Sequence, residues 1–172
     1  TLGSYSEALN GSSADVAAAL TGTFAAQYTG AVSLNDTHTL AELKTINNQT
    51  NNTITLTSYA VGLTGSTANV KAALDGTFAA AYTGNVTLDD ADGTNITATD
   101  ITTIEGDTSG TITVSNNINI KGTATEVAAA VADVNTFSGT PTAELSSAHT
   151  LAELKAINNK ISGALTLGSY SE

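Results

Sequence analysis

Apolar positions along this chain switch repeatedly between two periods. Stretches such as "SSADVAAALTGTF" and "THTLAELKTINN" set Val16, Ala19, Leu20 and Phe24, then Leu40, Leu43 and Ile46, at the spacing of a helix with one buried stripe. After each helical stretch comes a short run in which apolar and polar residues alternate: "AVSL", "TITL", "NVTL", "TITV", "TAEL" and "ALTL". Val32/Leu34, Ile54/Leu56, Val86/Leu88, Ile112/Val114, Ala143/Leu145 and Leu165/Leu167 face one way, which predicts half-buried β-strands. Ser33, Thr53, Thr55, Thr87, Thr111, Thr113, Thr142 and Glu144 take the other face.

Each helix also announces its start. A capping box pairs a Ser or Thr, whose oxygen accepts from a free helix N–H, with a residue three later that reaches back. Ser12/Asp15, Thr39/Glu42, Ser66/Asn69, Thr97/Asp100, Thr123/Glu126 and Thr150/Glu153 fit this pattern. An acidic third residue further suits the positive end of the helix dipole.

The caps fall 27, 27, 31, 26 and 27 residues apart. Two sequence types alternate along them. "GSSADVAAALTGTFAAQYTGAVSL" returns as "GSTANVKAALDGTFAAAYTGNVTL" and, more altered, as "GTATEVAAAVADVNTFSGTPTAEL". "HTLAELKTINNQTNNTITLTSY" returns as "HTLAELKAINNKISGALTLGSY", and as "TATDITTIEGDTSGTITV". One helix and one strand per roughly 27 residues lies in the range of short solenoid repeats. The expectation is an α/β solenoid of about six stacked helix-strand coils with one parallel sheet, running through residues 1–172 as paired units of about 11–64, 65–121 and 122–172. A discrete doubly wound α/β domain is the weaker alternative, because it does not require regular repetition.

"TLGSYSE" stands at Thr1–Glu7 and again at Thr166–Glu172. The second copy runs in register into Ala8, so the sequence predicts a period of 165 residues, three paired units, that continues into further copies. Those copies, head to tail in one polypeptide or as a polymer, are the expected partner. The chain has no Met, which predicts a processed protein or a piece of a longer one.

Composition narrows the function classes. Net charge is −11 with 5 basic residues in total, which argues against nucleic acid or anionic membrane as a partner. No apolar run reaches membrane-spanning length. Cysteine is absent, so disulfides and thiolate metal sites are excluded. Only 5 % of residues are aromatic, so the core must be built from Ala, Val, Leu and Ile.

"LTGSTANVKAALDG", "HTLAELKTINN", "NVTLDDADGTNITATDITTIEGDTSGTITV" and "GTATEVAAAV" resemble the tandem repeats of very large secreted surface proteins of bacteria, marine cyanobacteria especially. The resemblance covers nearly the whole chain. It implies an extracellular, cell-surface role as a structural or adhesive element and transfers no catalytic residue.

Four features invite a chemical reading. "DDADGTN" is the insertion that lengthens one spacing to 31 residues, and its Asp89, Asp90, Asp92 and Asn95 make a candidate Ca²⁺ loop, though not an EF-hand. The alternative for this loop is a solvated Asp-Gly turn. His38 and His149, the only histidines, occupy the place before a cap that Ile96 takes elsewhere, so a packing role outweighs catalysis. Outward Thr-x-Thr pairs raise ice binding, which Glu144 and the small residues among them weaken. Asn-x-Ser/Thr occurs at Asn10, Asn35, Asn48, Asn51, Asn85 and Asn95, as a chain so rich in Asn and Thr offers by chance. With no phosphate loop, zinc spacing or nucleophile elbow, the expected function is not enzymatic. It is a structural repeat of an extracellular filament or surface-layer fibre, with an adhesive or carbohydrate-binding repeat of a giant adhesin as the alternative.

Overall fold

A computed structural model describes residues 4–168. The chain runs β1 (Leu9–Gly11), α1 (Ser13–Leu20), β2 (Val32–Leu34), α2 (Leu40–Gln49), β3 (Ile54–Thr55), β4 (Leu63–Gly65), α3 (Thr67–Leu74) and β5 (Val86–Leu88). It continues with β6 (Asn95–Thr97), α4 (Ala98–Asp107), β7 (Ile112–Val114), β8 (Asn119–Gly122), α5 (Ala124–Asp133) and β9 (Thr136–Phe137). The last elements are β10 (Thr142–Leu145), α6 (Leu151–Asn158) and β11 (Leu165–Leu167). Among the described residues this is a mixed α/β fold of six helices and three parallel sheets.

Helices form where the caps predict them. In α1, α2, α4, α5 and α6 the cap oxygen accepts from the N–H three residues on, and α2, α5 and α6 close the full reciprocal box. The exception is α3, where Ser66 makes no side-chain cap bond. Its expected partner Asn69 instead accepts a hydrogen bond from Lys44 Nζ, 2.6 Å away on the neighbouring helix. A second cap reaches three of the helices from a loop 23 residues further along. Asp36 Oδ1 accepts from Ser13 N at 2.7 Å, Asp90 Oδ2 from Thr67 N at 2.8 Å, and Ser147 Oγ from Ala124 N at 3.0 Å. Helix starts are thereby tied to the following unit as well as to their own.

Every helix packs on the next one in sequence, α1 on α2 through to α5 on α6. Their inner stripes and the inward strand residues share one core. Leu43, Ile46, Val70, Ile101, Ile104, Val127 and Val131 are fully buried, as are Val32, Ile54, Val114 and Leu145 from the strands. The predicted inward positions are buried in β2, β3, β5, β7 and β10 and half-buried in β11.

The expectation of one parallel sheet is not met. The orders are β1-β2-β3, β4-β5-β7-β9 and β6-β8-β10-β11. The register supplies the reason. Leu9 lies opposite Val32, Leu63 opposite Val86 and Ala143 opposite Leu165, steps of 23, 23 and 22 residues, with Val86 to Ile112 the longest at 26. Caps advance by 27 residues in most units. The strand column therefore slips back along the unit at most steps, from before the helix to after it, until a new column starts. Spacing adds a second conflict: paired strands sit about 4.8 Å apart and packed helices about 8–10 Å. A single sheet could not keep pace with the row of helices without bending strongly.

The strands β1, β4, β6, β8 and β9 were not foreseen, and most of them end at the cap of the next helix. Leu9, Leu63 and Ile120 each stand three residues before a cap, which is the signal that would have found three of them.

Removing a buried side chain from the helix row should be costly. Ile104→Ala is expected to lower the unfolding free energy by about 2–5 kcal/mol in urea titration, the range for truncating a packed Ile or Leu.

Candidate functional site

The two histidines part company in the structure. His38 is 2 % exposed, and its Nε2 lies 3.0 Å from the Tyr82 hydroxyl. That hydroxyl donates to the Val61 carbonyl at 2.7 Å, so it accepts from Nε2–H and the ring is the neutral Nε2 tautomer. His38 Nδ1 is buried with no partner, consistent with an unprotonated nitrogen. Burial pushes the imidazole below its ordinary value, against Glu42 and Asp36, which raise it. Burial likewise pushes the Tyr82 hydroxyl well above the usual phenol range. A neutral histidine and an un-ionised tyrosine, both enclosed, lock one loop to another. Gly84 completes this lock, because a Cβ there would collide with the Val61 carbonyl and the Tyr82 ring. His149 is half-buried, with its Nδ1 also unpartnered.

Two carboxylates of the acidic insertion are spent on backbone amides. Asp90 accepts from Thr67 N and, at 2.6 Å, from Thr67 Oγ1, and it is 9 % exposed. Asp92 Oδ1 accepts from Asn117 N at 2.8 Å, and Asn95 Oδ1 from Asn119 Nδ2 at 2.9 Å. The Asp89 carbonyl takes a contact from Asn116 Nδ2. Gly93 turns the loop at φ +76°, a left-handed conformation that glycine adopts freely. Among the described residues no three His, Asp or Glu side chains gather as metal ligands. The Asp90 carboxylate thus points to the preceding unit, the Asp92 carboxylate and the Asn95 amide to the following one, and Asn95 opens β6.

The outward sheet face holds an arrangement that spacing alone did not reveal. Thr64, Thr87, Thr113 and Thr136 are register partners across β4, β5, β7 and β9, a four-rung threonine ladder. Across β8 and β10 the corresponding positions hold Lys121 and Glu144, an ion pair at 2.7 Å. Glu144 is therefore an element of sheet pairing. Lys71 and Asp100 make a second ion pair at 2.6 Å between α3 and α4.

The remaining features are the two ends of the helix row. Leu151 on α6 is 83 % exposed, and with Leu154, Leu165 and Leu167 it lines a shallow apolar groove. At the other end Leu9, Ala19, Leu20 and Phe24 line another. No described helix is long and apolar enough to cross a membrane.

Comparison with protein-family models, with curated proteins and with solved structures found no match.

Three outcomes are expected. His38 holds a proton more weakly in the folded chain than in the unfolded one, where a histidine titrates near about pH 6.5. Its contribution to stability is complete above that pH and is lost as the pH falls below it toward the folded value. His38→Ile, the residue found at the equivalent position 96, should give a melting temperature that falls less between pH 7.5 and 5.5 than that of the wild type; equal falls would contradict the assignment. Asp90→Ala strips a buried carboxylate from two donors and should cost about 1.5–3 kcal/mol in chemical denaturation, the range for hydrogen bonds to a charged group. If the loop is structural, millimolar Ca²⁺ or EDTA leaves both proteins unchanged.

Proposed function

We propose that this chain is a structural repeat unit of an extracellular filament or surface-layer fibre, working as an α/β solenoid whose helix-strand coils stack end to end. The observation that carries the reading is that elements pair with elements about one unit further on. Sheet neighbours run parallel at steps of 22 to 26 residues, and each helix meets the next helix in order. A chain built this way gains stability from nearest-neighbour interfaces and has no intrinsic length. The 165-residue sequence period supports the same reading. So do the site features: His38, Tyr82 and the acidic loop are used in joining one unit to another.

The cell-surface location rests on the resemblance of the repeats to those of large secreted bacterial surface proteins. An acidic, weakly charged-pair surface suits that role, since a net charge of −11 keeps neighbouring fibres apart in solution. A second reading, an adhesive or carbohydrate-binding repeat, draws on the threonine ladder, whose hydroxyls repeat at the strand spacing on an open sheet face.

Electron microscopy of the concentrated protein tests the first reading. The expected result is filaments with an axial repeat between about 29 Å, six strand steps, and about 60 Å, six helix steps. Dispersed particles at every concentration and ionic strength would overturn it. Glycan-array binding that a Thr87→Ala, Thr113→Ala variant loses would favour the second.

A further inference from the structure

Residues 149–158 repeat residues 38–47 with one change, Thr45 to Ala156. Sequence so similar should fold alike and pack alike, yet the two stretches have different surroundings. Leu43 is fully buried where Leu154 is half-buried, and Ile54 is fully buried where Leu165 is half-buried. Leu40 is half-buried where Leu151 is 83 % exposed.

The cover over the first stretch is α3 and the segment after it. Lys44 Nζ donates to Asn69 Oδ1 at 2.6 Å and Asn47 Nδ2 to the Ala72 carbonyl at 2.9 Å. Leu40 lies over Gly65, where an added Cβ would strike it. Ile54 bridges in parallel to Phe78, and His38 reaches Tyr82.

The missing cover for α6 exists at the opposite end of the same chain. Residues 11–30 repeat residues 65–84, so α1 is the equivalent of α3. Its face is bare in the complementary way: Ala19 is exposed where Ala73 is fully buried, and Leu9 is half-buried where Leu63 is 2 % exposed. One half of the α2–α3 interface stands open at each end.

We propose that α6 and β11 dock on α1 of a second copy of this chain, in the arrangement that α2 and β3 make with α3. This rests on the structural-repeat reading and specifies its junction. The equivalences place Lys155 against Asp15 of the second copy, which stands where Asn69 stands, so an amide contact becomes an ion pair. Asn158 donates to the Ala18 carbonyl, and Leu151 covers Gly11. His149 takes the hydroxyl of Tyr28, which already donates to the Glu7 carbonyl as Tyr82 does to Val61. Leu165 comes beside Phe24, adding a further rung to the β6-β8-β10-β11 sheet. Two different faces meet, so the contact is head to tail and propagates unless the rotation closes a ring.

Sedimentation velocity at about 0.15 M salt tests the junction, where long-range repulsion between acidic copies is screened. The wild type is expected to associate with rising concentration. Lys155→Glu sets two acidic side chains against each other at the junction, and Asp15→Lys sets two basic ones. Each alone should weaken association by about tenfold or more. Mixing the two variants, or combining both changes in one chain, restores opposite charges and should restore association. Leu151→Asp, at an exposed position, should abolish association with the circular dichroism and melting temperature unchanged, which separates docking from folding. Association that none of the variants alters overturns the junction and leaves the structural-repeat reading standing. A wild type that stays monomeric at all concentrations overturns both.

Discussion

A helix of eight or ten residues does not hold its shape in water alone. Nucleation is too costly and the hydrogen bonds too few, so such a helix survives only where a neighbour covers its apolar stripe. All six helices here are of that length, and the strands beside them are two to four residues long. Among the described residues no element is self-sufficient, and each helix is covered by its neighbours in the row. The core follows from the same limit. Short elements leave little room for large side chains, and Ala17, Ala73, Ala98, Ala124, Ala130 and Ala143 let backbones approach closely among Val, Ile and Leu.

Polar groups obey the same logic. Glu42 Oε2 serves its own cap at Thr39 and also accepts from Ser13 Oγ on the preceding unit at 3.0 Å. The Thr39 backbone N–H, burial opposing, holds that carboxylate below the usual range together with the Thr39 and Ser13 hydroxyls. Asp36 and Asp90 cap the starts of helices 23 residues before them, where their oxygens accept from free N–H groups. A carboxylate so used is a structural joint, and its value lies in fixing the distance between units.

How much of this was legible depended on the range of the physics involved. Capping is local, so Thr39/Glu42 and Thr150/Glu153 could be read from four residues each and are found as read. Ser66/Asn69 had the right letters and failed: the Asn69 N–H donates to the Ser66 carbonyl, and Lys44 on another helix takes the Asn69 side-chain oxygen. The inward face of β5, Val86 and Leu88, followed from alternation, while β9, only two residues long, carried too little pattern to be seen. The packing role of His38 was legible from Ile96 at the same position; its partner Tyr82, 44 residues on, was not. Among the candidate ligands, Asp90 and Asp92 accept from backbone amides 23 and 25 residues away, and a sequence shows carboxylates and turns but not such distant partners. The division into three sheets was hidden for the same reason: caps report the spacing of helices and say nothing of strand register.

That division has a mechanical side. The β1-β2-β3 sheet ends near Thr55, the β4-β5-β7-β9 sheet opens at Leu63, and the β6-β8-β10-β11 sheet opens at Asn95 while its neighbour is still running. The last two sheets are staggered, as overlapping bricks are. Between Asn95 and Phe137 they run side by side, so tension that peels one apart there meets the middle of the other.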